Sequence, residues 1–253
     1  MDPLFSGVGV ALVTLFHDDG SLDAPGTASL AVELVSAGVR AVVVAGSTGE
    51  AASLSLEERV SLLAAVRAAV TEVPVIAGTG APSGRQAAAL SEAARDGGAD
   101  ALLVLSPPGP RDPRLYYDTV AKAAGGSSVL AYHFPQASLP GIPVDLLPEL
   151  PVAGCKDSSG DPERLLETVT TWDAPLYTGS SALLSMAGQV GCRGAILALA
   201  NAEPELCAKA FAGDASAQLA LVPSHLAARA AFPRGIKELT GRRFDTSAVT
   251  RTG

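Results

Sequence analysis

This sequence predicts an α/β fold, a (β/α)8 TIM barrel with a short C-terminal helical extension, on three observations. Short apolar runs rich in Val, Leu and Ala alternate with stretches of helical composition. Runs that are apolar throughout read as strands of a parallel sheet covered on both faces. There are eight of them, the number at which such a sheet closes. Finally, the chain is 48% hydrophobic but only 4% aromatic, so its core is built from small and branched side chains, as in the packed layers of a barrel. An open doubly wound sheet is the structural rival.

The strands are expected at 8–14, 41–45, 73–77, 101–105, 129–133, 152–156, 176–178 and 195–198. Helices are expected at 25–37, 56–70, 84–96, 114–124, 162–171 and 182–190. Asp23 followed by Pro25 is a good start for the first helix. Ser55-Leu56-Glu57-Glu58 is a capping box opening the second. Between the fifth and sixth strands only a short connection at 145–150 is visible. Beyond the eighth strand, 203–212 and 214–231 are helical in composition, Phe232-Pro233-Arg234-Gly235 breaks the pattern, and 236–240 is a short helix. The polar tail, 242–253, is expected to fray. The division that follows is a barrel over 1–202 and a shortened helical extension over 203–253.

Net charge is −8 at pH 7, which argues against a nucleic-acid or anionic-membrane surface. An anionic small substrate needs only local donors and stays open. Cys155, Cys192 and Cys207 show neither metal spacing nor a disulfide framework. With no basic leader and no apolar run of transmembrane length, a cytoplasmic setting is expected.

In a barrel of this kind the chemistry sits at the C-terminal ends of the strands. The sixth strand ends at Lys156. Burying an ammonium is costly unless it finds a partner or loses its proton, and the neutral amine can attack a carbonyl to form a Schiff base. A lysine snorkelling into solvent is the ordinary alternative. The second strand leads into Gly46-Ser47-Thr48-Gly49-Glu50, a tight loop whose N–H groups could hold a carboxylate. Gly78-Thr79-Gly80 imitates a dinucleotide fingerprint, but its spacing and place are wrong. On the fifth strand Tyr132 and His133 alternate, so only one faces the axis. A phenol there can shuttle protons to an imine-forming lysine. His133, lacking a paired acid, reads as structural.

Together these segments resemble the dihydrodipicolinate synthase / N-acetylneuraminate lyase family of class I aldolases. The resemblance is carried by Gly46–Glu50, Gly78-Thr79-Gly80, Tyr132-His133-Phe134-Pro135, Gly154-Cys155-Lys156-Asp157 and the stretch from Gly191 to Asn201, in that order. It implies a lysine Schiff-base lyase acting on pyruvate or another 2-oxo acid and an aldehyde, with no metal or organic cofactor. It implies that Lys156 forms the imine, that Tyr132 and Thr48 move protons, that Gly46, Ser47 and Thr48 bind the carboxylate, and that the Ile196 carbonyl lies beside the keto acid. It also implies a homo-oligomer, dimer or tetramer.

Two departures bear on the second substrate. The family's loop tyrosine is replaced by Gly109, and the arginine that binds a second carboxylate in lysine-pathway synthases by Ala137. Arg111 and Arg114 are the nearby cations that could stand in. The expectation is therefore a lyase for neutral or hydroxylated aldehydes, such as those released from 2-keto-3-deoxy sugar acids. The alternatives are a 4-hydroxy-tetrahydrodipicolinate synthase with a rebuilt second site, and a non-catalytic 2-oxo acid binding protein. The chain is also shorter than is usual for the family, mainly after the eighth strand.

Overall fold

The computed structural model describes residues 2–252. Eight parallel strands occur in chain order: β1 (Gly7–Ala11), β2 (Val42–Val44), β3 (Val75–Gly78), β4 (Ala101–Leu105), β5 (Ser128–His133), β6 (Gly154–Asp157), β7 (Leu176–Thr178) and β8 (Gly194–Leu197). Each pairs with its neighbours in sequence, and β1 pairs with β8 from Gly7↔Gly194 to Val10↔Leu197. That last ladder closes the barrel and removes the open-sheet rival.

The outer ring contains α1 (Ala24–Ser36), α2 (Leu56–Ala69), α3 (Gly84–Asp96), α4 (Arg114–Ala124), α5 (Pro162–Thr171), α6 (Leu184–Gln189) and α7 (Pro204–Phe211). The expected start signals are in place. Asp23 accepts the Gly26 N–H at 2.8 Å, and Ser55 and Glu58 cap each other's backbone. Between β5 and β6 stands a 3-10 turn, Val144–Glu149, in place of a full helix; Pro148 within it cannot donate to a helical ladder. α7 packs against α6 and β1 on one side and against the helix that follows it on the other, so it joins the barrel to the extension.

Two apolar clusters divide the core. One fills the barrel and includes Ala11, Val43, Ile76, Leu103, Leu130, Tyr132, Tyr177 and Ile196. The other lies between strands and helices and takes the alternate residues, such as Val10, Val42, Val44, Leu102, Val104 and Ala131. This period-two division is what a closed sheet covered by helices requires.

Several boundaries differ from expectation. β1 ends at Ala11, because beyond Leu12 the backbone bonds to side chains: the Val13 N–H donates to Asn201 Oδ1 at 3.0 Å, and the Leu15 N–H to Thr27 Oγ1 at 2.9 Å. β3 begins after Pro74, which has no N–H for the ladder, and β6 runs one residue past Lys156. The single helix expected over 214–231 is two, α8 (Ala215–Ala220) and α9 (Val222–Ala230); Pro223 stands in the first turn of the second, where a missing N–H is tolerated. The short helix expected at 236–240 is α10 (Arg234–Phe244).

The tail as described, to Thr252, does not fray, and Gly253 lies outside the described residues. Arg251 pairs with Glu58 and donates to the carbonyls of Gly20 and Ser53, and the Arg251 and Thr252 N–H groups both bond to Glu50. Its polar composition reflects these partners, which lie elsewhere in the chain.

Candidate active site

Tyr132, Lys156 and Tyr177 stand in register on adjacent strands, so their side chains share the inner face. Lys156 is 4% exposed, and its Nζ lies 4.2 Å from the centre of the Tyr132 ring. An ammonium over a phenol face is attracted by the ring's quadrupole, whereas its burial disfavours the charge. Tyr132 is in turn stacked on Phe134, with ring centres 5.8 Å apart. Ile196, fully buried, faces the same interior from β8.

The polypeptide comes close to Lys156 at Gly179, after β7. A Cβ there would sit 1.8 Å from Ser158 Oγ, 2.9 Å from Ser158 Cβ and 3.1 Å from Lys156 Cε. The absence of a side chain at 179 leaves the lysine stem its room. Ser158 is two residues beyond Lys156 in the chain, whereas nothing local to Gly179 signals its proximity to Lys156.

The Gly46–Glu50 loop leaves the C-terminal end of β2, at the end of the barrel that β6 presents with Lys156. Its carbonyls turn inward, Gly46 accepting from the Ala51 N–H and Ser47 from the Glu50 N–H. The N–H groups of Gly46, Ser47 and Thr48 donate to no acceptor among the described residues. Thr48 is buried and Ser47 half-buried. Free donors beside two hydroxyls are a chemistry suited to a carboxylate.

The outer faces of the same strands carry different chemistry. His133 stands in register with Asp157, so an acid does lie beside it, unlike the sequence expectation. That carboxylate is already committed to Arg164 Nε at 2.8 Å and to the Ser159 N–H at 2.8 Å. His133 Nδ1 accepts the Ile142 N–H at 2.8 Å, which leaves its proton on Nε2. Burial, with the Arg164 charge adding to it, pulls the imidazole down to about 4. His133 is structural, as expected, but because its ring is engaged and faces away from Lys156. Burial likewise pushes the Cys155 thiol up to about 12, so it is no nucleophile.

The substituted loops can also be placed. Gly109 has φ 98° and donates its N–H to the Leu139 carbonyl at 2.8 Å, tying the two loops that follow β4 and β5. Tyr116 does not replace the absent loop tyrosine: its hydroxyl bonds to both backbone groups of Ala81 and to the Leu105 carbonyl, and burial pushes it up to about 12. Arg114 is held by Asp112 and Glu149, both at 2.6 Å. Of the two candidate cations, Arg114 is already neutralised, and Arg111 is exposed.

The sequence matches the dihydrodipicolinate synthetase family over residues 4–230. It is 36% identical, over 88% of this chain and 83% of the relative, to a 4-hydroxy-tetrahydrodipicolinate synthase from Pseudomonas aeruginosa. It is 38% identical, over 92% of this chain and 82% of the relative, to an uncharacterized DapA-like lyase from Halobacterium salinarum. Among solved structures it is similar to YagE, a prophage protein of Escherichia coli K12 determined in complex with pyruvate: TM-score 0.88, 27% identity, 98% of this chain and 92% of that one. A barrel of eight strands with Lys156 against Tyr132, matched over nearly its whole length by these proteins, belongs to the dihydrodipicolinate synthetase family of lysine Schiff-base lyases.

Proposed function

We propose that the protein joins pyruvate to an aldehyde, or runs the reverse cleavage, through an imine on Lys156. The observation that carries this reading is the contact of Lys156 Nζ with the Tyr132 ring inside the barrel. The neutral amine attacks the keto carbon, and the keto oxygen leaves as water after protonation, for which the Tyr132 hydroxyl is the donor. The iminium then accepts electrons as the methyl carbon loses a proton. The enamine so formed adds to the aldehyde carbon, the aldehyde oxygen takes up a proton, and water releases Lys156. Gly46, Ser47 and Thr48 hold the 2-oxo acid carboxylate, Thr48 takes part in the proton relay, and the Ile196 carbonyl faces the keto acid.

The relatives named as synthases favour aspartate semialdehyde as the aldehyde. This moves the synthase reading ahead of the neutral-aldehyde lyase expected from the sequence. The second reading keeps a specific support: Gly109 and Ala137 offer no side-chain donor, and Arg114 is bound to two carboxylates. A bidentate arginine contact is what a second carboxylate ordinarily uses.

Intact mass after pyruvate plus borohydride, with peptide mapping, tests the imine. Trapping at Lys156 is expected, with none in Lys156→Ala; trapping at another lysine would overturn the assignment. A protein that traps pyruvate without turning over any aldehyde would be the non-catalytic binder. The kcat/KM for aspartate semialdehyde against hydroxylated aldehydes separates the other two. Values of roughly 10⁴ M⁻¹s⁻¹ or more with the semialdehyde establish the synthase.

A homo-oligomer, dimer or tetramer, is part of this proposal and is read by light scattering. Among the described residues no helix is long and apolar enough to cross a membrane. Three buried free cysteines suit the cytoplasmic setting proposed.

A further inference from the structure

The loop that carries Ser47 and Thr48 is bracketed by two non-glycine residues in the left-handed region, Ala45 at φ 50° and Glu50 at φ 53°. Each costs about 1–2 kcal/mol relative to ordinary backbone, and such conformations persist only where the surroundings over-determine them. On one side the loop is wedged against β3: a Cβ at Gly78 would sit 2.2 Å from the Ala45 carbonyl oxygen. On the other side the restraint is Glu50 itself.

The Glu50 carboxylate is fully buried and accepts four hydrogen bonds. Lys237 Nζ donates to Oε1 at 2.5 Å; the Arg251 N–H, the Thr252 N–H and the Thr252 hydroxyl donate to Oε2, each at 2.8 Å. All four donors come from α10 or the segment after it, some 190–200 positions away in the chain. Burial alone would push the carboxyl up, but the Lys237 and Thr252 hydrogen bonds outweigh it and hold Glu50 below the usual carboxylate range. Lys237 also donates to the Val249 carbonyl at 2.6 Å, and the Lys237 and Arg251 cations lie on the Phe16 ring, each 4.3 Å from its centre.

A buried ion pair is a poor source of stability, because desolvation consumes most of its attraction. What it supplies is a fixed position. Anchoring the tail alone would not need a partner inside the loop, since Arg251 is already paired to Glu58 on the outer helix α2.

We propose that Glu50, clamped by Lys237 and the 251–252 backbone, is a positioning residue for Ser47 and Thr48, so that the C-terminal segment sets the affinity for the 2-oxo acid. This rests on the reading that those two residues bind its carboxylate. The clamp acts on binding: a loosened loop presents its donors out of place, while Lys156 and Tyr132, on other strands, stay where they are.

The test compares Glu50→Gln/Lys237→Met, which removes both charges together, with Arg243→Ala. Arg243 anchors α10 elsewhere, to the Ala202 carbonyl and Glu205, without touching the loop. Thr252→Val, which removes one bond to Glu50, is the milder variant if the double one folds poorly. In the double variant the pyruvate concentration giving half-maximal borohydride trapping should rise about tenfold or more, the scale of a misplaced binding group. Turnover at saturating pyruvate should change far less, and Thr252→Val should move the same way by less. Arg243→Ala should leave half-saturation unchanged, even where it lowers the melting temperature. Hydrogen exchange of residues 46–51 should quicken in the Glu50 variants only. Unchanged half-saturation in the double variant, or an equal rise in Arg243→Ala, would overturn the proposal. If the wild-type protein traps no pyruvate, the functional reading has failed, and exchange still decides the clamp: protection equal to wild type in the Glu50 variants would refute it.

Discussion

On the proposed function, two residues beside Lys156 bear on different parts of its chemistry. The Tyr132 hydroxyl is assigned to proton transfer, so Tyr132→Phe should still be trapped by borohydride with pyruvate but turn over about 10²–10⁴-fold more slowly. Unchanged turnover would make the phenol a packing residue. Gly179 is assigned to space alone. A methyl there falls 1.8 Å from Ser158 Oγ and 2.9 Å from its Cβ, so Ser158 must turn away, and it presses on Lys156 Cε at 3.1 Å. Gly179→Ala should therefore slow imine formation at Lys156 by about tenfold or more, with the fold retained by circular dichroism. Rapid-quench trapping measures it, and a wild-type rate would show that Lys156 moves aside at no cost. The sequence marked Lys156 and Tyr132 because strand ends and period-two alternation are local properties. It could not mark Gly179, whose neighbour is 23 positions earlier and on a different strand.

At the scale of elements, β5 and β6 carry Tyr132 and Lys156 on the inner face and a polar cluster on the outer one. His133, Asp157 and Arg164 form that cluster, where β5 meets β6 and α5. His133 is held neutral there, at about 4. In the unfolded chain a histidine titrates near 6.5. Its folded value is depressed, so the stability it contributes is present above about pH 6.5 and is lost as pH falls toward about 4. The urea midpoint should fall between about pH 7 and pH 5, and His133→Gln, which keeps an acceptor for Ile142, should flatten that slope. His225 on α9 is also lowered, by burial and by Arg229, so the slope should shrink without vanishing. An identical slope in the variant would mean that the buried imidazole gains its proton without penalty. Alternation turns His133 away from Lys156, but the expected lack of a paired acid does not hold, because Asp157 comes beside it once β5 and β6 are in register.

For the whole molecule, the barrel interior is closed on the N-terminal side by Phe5, which stacks on Tyr177 with ring centres 4.7 Å apart. The Tyr177 hydroxyl donates to the Phe5 carbonyl at 3.2 Å and accepts the Phe5 N–H at 3.4 Å. Tyr177 thus ties the segment before β1 to β7, across the chain's full circuit. Tyr177→Phe should cost roughly 1 kcal/mol, the net worth of such hydrogen bonding. Tyr177→Ala should cost roughly 3–5 kcal/mol, as for other large buried aromatics. Chemical denaturation measures both, and equal losses would show that the hydroxyl, with no help from the ring, holds the segment.

The sequence by itself determined the alternation of strands and helices, the helix starts at Asp23 and Ser55, and the alternation that puts only one of Tyr132 and His133 on the inner face. Each of these follows from propensity, capping or periodicity within a few residues. Only the tertiary structure decided that the polar tail docks, that Arg114 is occupied, and that Glu50 in the candidate carboxylate loop is held by Lys237, 187 positions away. A charged side chain reads as solvated until a partner is found for it. For Glu50 the partners come together only when the folded chain brings the loop after β2 against Lys237 and the 251–252 segment.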